Sequence, residues 1–139
     1  VQMQNVDKDL FSKFSINIEA LRKSCWECIG VSRSKNKMNL FSQDLDNDKS
    51  SLIDYSLLNI IKQVEVDQKI SFDEEHRRAL NLLIDLQNRQ ITTRLLLDAC
   101  LFREESRGGH YRIDYPNKND HWKCHSNQKI NQEIKKSLI

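Results

Sequence analysis

The chain has 139 residues, 38% of them hydrophobic and 30% charged, and its 22 basic and 20 acidic side chains leave a net charge of +2. That length fits one domain, short for a cofactor enzyme that must also carry a nucleotide-binding fold. The balanced charge supplies no field for gathering nucleic acid or an anionic membrane, and three glycines with one proline are too few for the turns of a sheet-rich protein. The expected class is all-α. No apolar run approaches the ~20 residues of a membrane span and no basic-then-apolar leader opens the chain, so a soluble, cytoplasmic protein is expected. The four cysteines read as free thiols in that setting. The polar opening Val1-Gln2-Met3-Gln4-Asn5 fits a piece of a longer polypeptide.

From about Ile16 to Ile29, Ile18, Leu21, Cys25 and Cys28 or Ile29 recur every three or four residues, which predicts a helix stopped at Gly30. Ser32 to Asn36 reads as a connector, with Asn36 or Asn39 as a cap for the next helix. Met38, Phe41, Leu45, Leu52, Tyr55 and Leu58 then form a heptad seam with Asp48 in its vacant seat, and the polar block Asp44 to Ser51 predicts a weak spot or break. A third helix is capped by Ser71 or Asp73 and opens with Glu74 and Glu75 at its positive dipole end. Its apolar stripe is read as Leu80, Leu83, Ile84, Ile91, Leu95, Ala99 and Phe102, running up to Gly108-Gly109, which would end it.

Beyond the glycines, Tyr111, Ile113 and Tyr115 alternate with His110, Arg112 and Asp114, the period of an extended strip with one apolar and one polar face. Arginine and aromatic rings together are the composition of an interface. Asn117 to Asp120 reads as loop. Asn127 to Ile139 reads as a short docked helix or a frayed tail.

Three groups invite a chemical reading. Cys25-Trp26-Glu27-Cys28 has the spacing of redox couples and zinc knuckles, yet it lies inside a helix with no preceding strand, and zinc would need His121, Cys124 and His125 folded back upon it. Buried small residues are the expected role for the thiols, and core or bundle-edge positions for Trp26 and Tyr55. His121-Trp122-Lys123-Cys124-His125 supplies adjacency without catalytic geometry, so Trp122 is expected to anchor the tail. Arg103, Arg107 and Arg112 are the candidates for contacting a carboxylate or phosphate. Arg103 is expected at the surface, neutralised by Glu104, Glu105 and Asp114, Arg107 can also hold the glycine turn, and the polar, aromatic strip as a whole is expected to dock on a partner. No phosphate-cradling or dinucleotide-binding glycine motif occurs.

Glu105-Ser106-Arg107-Gly108-Gly109-His110-Tyr111-Arg112-Ile113-Asp114-Tyr115-Pro116, followed by Trp122 and His125-Ser126, resembles a motif of the C-terminal domain in the succinate dehydrogenase and fumarate reductase flavoprotein family. Leu21-Arg22, Trp26 and Ile29-Gly30-Val31 with Arg33 are similar to that domain's opening element. Trp26 and Gly109-His110-Tyr111 favour the L-aspartate oxidase branch. The resemblance implies a three-helix, spectrin-like bundle followed by an extended C-terminal segment, attached to FAD-binding and capping domains. The parent would oxidise L-aspartate to iminoaspartate, the first step of NAD biosynthesis, with FAD in the parent and no cofactor or metal on this chain. It places no catalytic residue here. The expected interdomain interface is Glu105, Ser106, Arg107, Gly108, Gly109, His110, Tyr111, Arg112 and Asp114. Two other classes compete with this expectation: an autonomous helical adaptor or nucleic-acid-binding bundle, and a thiol or metal protein using Cys25 and Cys28.

Overall fold

The first helix, α1 (Lys8–Ile29), carries Phe14, Ile18, Leu21, Cys25 and Cys28 at alternating spacings of four and three. The second, α2 (Lys35–Asn47), carries Met38, Phe41 and Leu45 in the same rhythm. The third, α3 (Glu74–Phe102), is the longest. A 3-10 turn at Asp120–Trp122 and two strands, β1 (Cys124–Asn127) and β2 (Lys135–Leu138), complete the order. This computed structural model describes residues 8–48, 73–129 and 132–138. Leu52, Tyr55 and Leu58 of the predicted seam lie outside them.

Each helix is stopped by local chemistry. The α1 helix ends one residue before Gly30, where a Cβ would collide with the Trp26 carbonyl. The cap of α2 is the Ser34 hydroxyl, accepting from the Lys37 amide, and not Asn36 or Asn39; Ser34 alone of these stands outside the helix, in the extended conformation a cap requires. The break expected after Asp44 falls at Asn47, with Asp48 extended. Asp73 caps α3, its carboxylate accepting from the His76 amide at 2.8 Å.

The helices form a bundle in up-down-up order. Phe11 and Ser15 border one cleft with Glu75 and Leu82, and Cys25 meets Thr93 at 3.3 Å, so α1 and α3 run the same way. The α2 helix runs back between them: Arg94 donates to the Ser42 hydroxyl at 2.7 Å and pairs with Asp46, while Gln90, four residues earlier, donates to Asp48 at 2.8 Å. Among the described elements the most extensive packing is α1 on α3.

The buried face of α3 departs from the expected stripe. His76, Ala79, Leu83, Leu86, Thr93, Leu97 and Cys100 are buried, and with half-buried Gln90 they step alternately by three and four residues, the seam of left-handed helix packing. Of the expected stripe only Leu83 is buried, and Ile84 and Ile91 face outward. Three seats of the true seam are polar, which hides it from an apolar count. Their cost is met locally, for every buried side-chain nitrogen and oxygen among the described residues has a hydrogen-bond partner.

Two further expectations change. The α3 helix stops at Phe102, before the glycine pair. The tail forms a strand: β1 pairs antiparallel with β2, Cys124 opposite Leu138 and Asn127 opposite Lys135. Trp122 anchors this hairpin, its ring edge-on to Phe102 at 5.2 Å and covered by the Lys136 ammonium at 3.4 Å. Of the two positions expected for Trp26, the core is excluded and the bundle edge remains, since it is 72% exposed; Tyr55 lies outside the described residues.

Candidate functional site

Because α1 and α3 run together and α2 runs back, the ends of α1 and α3 and the start of α2 meet at one pole of the bundle. A helix C-terminus leaves carbonyls without partners and a partial negative charge. At this pole Arg112 supplies both partner and charge. Its Nη1 donates to the carbonyls of Cys100 at 2.8 Å, Arg103 at 3.1 Å and Leu101 at 3.3 Å, closing the end of α3.

The rest of the guanidinium is equally engaged. Nε donates to Asp114 Oδ1 at 2.8 Å and Nη2 to Oδ2, a two-pronged pair. The same Oδ2 accepts from the Lys35 amide in the first turn of α2, so one carboxylate satisfies the start of α2 and balances the charge at the end of α3. The Tyr115 ring lies 5.0 Å from the guanidinium carbon. Arg112 is fully buried.

A second buried charge lies beside it. Glu105 accepts from Arg107 Nε at 2.9 Å and Nη2 at 3.0 Å, from the Asn119 amide at 2.9 Å, and from Arg103. These donors, Arg107 foremost, hold its carboxyl down to about 2 despite burial. Arg103 is thus paired with Glu105 as expected, but half-buried and not at the surface. Its remaining donors reach the Trp122 carbonyl at 2.9 Å and the Cys124 carbonyl at 2.7 Å, tying the hairpin to the pole.

Between the two ion pairs the backbone is fixed. Arg107 and His110 exchange amide–carbonyl hydrogen bonds of 2.9 and 3.1 Å around Gly108-Gly109, and Gly108 takes a φ of +58°, which favours glycine. Nothing crowds the space where its Cβ would be, so the demand is conformational. Ser106 Oγ accepts from the Arg112 amide at 2.8 Å and reaches the Tyr115 carbonyl at the same distance. His110 Nε2 donates to the Arg103 carbonyl at 3.2 Å, and burial pushes its pKa below the ordinary value.

Arg33 completes the pole. Its amide donates to the Tyr111 carbonyl at 3.1 Å and its carbonyl accepts from the Ile113 amide at 2.8 Å. Its guanidinium reaches the carbonyls of Ile29, at the end of α1, and Gly109, both at 3.1 Å. The two-faced extended strip read from the sequence does not form: Arg112 alone is fully buried, Tyr111 and Ile113 are 45% and 55% exposed, and the chain turns after Arg112, whose carbonyl accepts from the Tyr115 amide at 3.3 Å. Three orphan carbonyls and a carboxylate make the interior the better place for that arginine.

Of the nine expected interface residues, Glu105, Ser106 and Arg112 are buried within this chain, Arg107 and His110 are half-buried, and Gly108, Gly109, Tyr111 and Asp114 lie at the surface. Sequence reasoning gave no role to Asn119, whose amide serves Glu105, and quoted Arg33 only within a motif. An arginine two residues past a helix-ending Gly-Val is a signal that could have pointed to the latter. Among the described residues no group of three His, Cys, Asp or Glu side chains gathers to hold a metal. No helix among them is long and apolar enough to cross a membrane.

Among the described residues, the fold and this pole define a bundle of three helices whose ends are locked by two ion-pair clusters, each built on one buried charge, and by a short β-hairpin. Residues 18–138 match the model of the fumarate reductase flavoprotein C-terminal region. The chain belongs to that family. It is 29% identical over 107 residues to L-aspartate oxidase of Synechocystis sp., covering 76% of this chain and 19% of that protein. It is 26% identical over 116 residues to L-aspartate oxidase of Nostoc sp., covering 83% and 20%. A fumarate reductase (CoM/CoB) polypeptide from Methanothermobacter marburgensis is 29% identical over 105 residues, covering 76% and 17%. The chain thus spans about a fifth of the length of these curated relatives. No solved structure shows a significant match.

Proposed function

We propose that the chain is the non-catalytic C-terminal helical domain of an FAD-dependent L-aspartate oxidase, packing through the outer edge of its polar pole against the FAD-binding and capping domains of the same polypeptide. The parent would oxidise L-aspartate to iminoaspartate and pass the electrons from FAD onward. The observation that carries this reading is the division of labour in residues 105–114. Buried Glu105 and Arg112 hold the loop rigid, and the rigid loop presents Tyr111, Ile113 and the glycine turn outward. An ordered edge with exposed apolar groups loses little entropy on docking, so contact there is favoured over contact by a loose loop.

The fumarate reductase relative, as similar as the Synechocystis oxidase, supports a second reading, the same domain in a fumarate reductase flavoprotein. One experiment separates the two. The full polypeptide carrying this chain is purified, its flavin content is measured, and peroxide formation with L-aspartate is compared with fumarate reduction by a reduced dye. Aspartate-dependent peroxide supports the oxidase. Fumarate reduction without aspartate oxidation supports the second reading, and a polypeptide without flavin or either activity removes both.

A further inference from the structure

Trp26, Val31 and Leu40 are 72%, 73% and 63% exposed, and all three line one groove between the second half of α1 and the first half of α2. Cys28 and Phe41 also line it. Large apolar side chains exposed singly are ordinary, whereas three around one groove mark a contact surface. Glu27 and Asp44 border it against one cation, Lys37.

We infer that this groove seats an apolar side chain, flanked by a basic residue, from the remainder of the same polypeptide, as a second contact beside the polar pole. This rests on the reading of the chain as one part of a longer flavoprotein. Two observations select that occupant over a second copy of the chain, and a third sets its charge. Three side chains supply on the order of a few hundred Å², against about 800 Å² per partner in a standard interface. A tethered segment needs less, because the tether gives it a high effective concentration. The curated relatives are about five times as long as the chain, which provides the tethered polypeptide. The groove also adjoins the pole, since Arg33, two residues after Val31, is hydrogen-bonded to Tyr111 and Ile113. Finally, the excess of Glu27 and Asp44 over Lys37 sets the sign of the flanking charge.

The test is maleimide labelling, read by peptide mass mapping, of Leu40→Cys, Ile113→Cys and the exposed control Lys13→Cys, each in the full polypeptide and in the 139-residue chain. Leu40→Cys should label about tenfold or more slowly in the full polypeptide, as for a side chain in a packed interface core, with the ratio unchanged on dilution. Lys13→Cys should label equally in both. Slow labelling of Leu40→Cys already in the short chain overturns the inference, as does protection that vanishes on dilution, which would point to a second copy. Fast labelling at Leu40→Cys with slow labelling at Ile113→Cys overturns the groove alone and leaves docking at the pole standing. Fast labelling at both removes the two together.

Discussion

Arg112 donates from Nη1 to the Cys100 carbonyl across 2.8 Å with its guanidinium fully buried. A side chain twelve positions downstream thus ends α3, whose last turn would otherwise face the interior with unpaired carbonyls. Arg112→Ala should lower stability by roughly 3–5 kcal/mol, because each interior carbonyl left without a donor costs about 1–3 kcal/mol, read as the urea midpoint followed by far-UV circular dichroism. Arg112→Lys should recover only part of the loss, because an ammonium lacks the fork that serves Asp114 and the carbonyls together.

Glu105 sets an acid limit. Its folded pKa, about 2, lies below the unbound carboxyl value of 4.5, so its contribution is complete above about pH 4.5 and disappears as pH falls through 2. The stability gap between the natural chain and Glu105→Gln should therefore be constant near neutrality and close progressively below pH 4.5. A gap unchanged down to pH 2 would mean the carboxylate charge does not hold Arg107 and Arg103.

His110 acts in a higher window. Burial lowers its pKa below 6.5, so the unfolded chain takes up a proton more readily than the folded one, and stability falls as pH drops below about 6.5. His110→Gln should flatten that loss between pH 7 and 5, measured by thermal unfolding at each pH.

The glycines separate by cause. Gly108→Ala should cost about 1–2 kcal/mol for a side chain at positive φ. Gly109→Ala, with open space around it, should stay within about 0.5 kcal/mol. Gly30→Ala must push against the Trp26 carbonyl and should cost about 2–3 kcal/mol. Midpoints of thermal unfolding rank the three.

The bundle was legible where its seams are apolar. Leu21 and Cys25 in α1 and Met38, Phe41 and Leu45 in α2 recur in heptad rhythm, and they pack as that rhythm implies. Phe14 escapes a reading that starts the first helix at Ile16, since α1 begins two turns earlier. In α3 the polar seats His76, Gln90 and Thr93 turn the reading onto the neighbouring stripe, since only a structure shows that Asp73, Asp48 and Cys25 satisfy them. The end of α3 is misplaced for a related reason. A glycine is a local stop that can be read from sequence, whereas an arginine reaching back to three carbonyls is tertiary. Within the candidate site the residue types are legible, but which of them hold the loop and which face outward depends on partners remote in sequence, Lys35 and Arg33 among them.

Docking through the pole, with its loop held by buried charges, is measured by titrating this chain into the separately produced flavin-binding remainder of its polypeptide in a calorimeter. Binding should be saturable, weakened about tenfold or more by Tyr111→Asp or Ile113→Asp, as for residues at the centre of an interface, and unchanged by Arg89→Ala on the outer face of α3. Both aspartate variants should unfold like the natural chain. Binding indifferent to Tyr111 and Ile113, or no binding between two folded pieces, would mean that the pole is not a docking face.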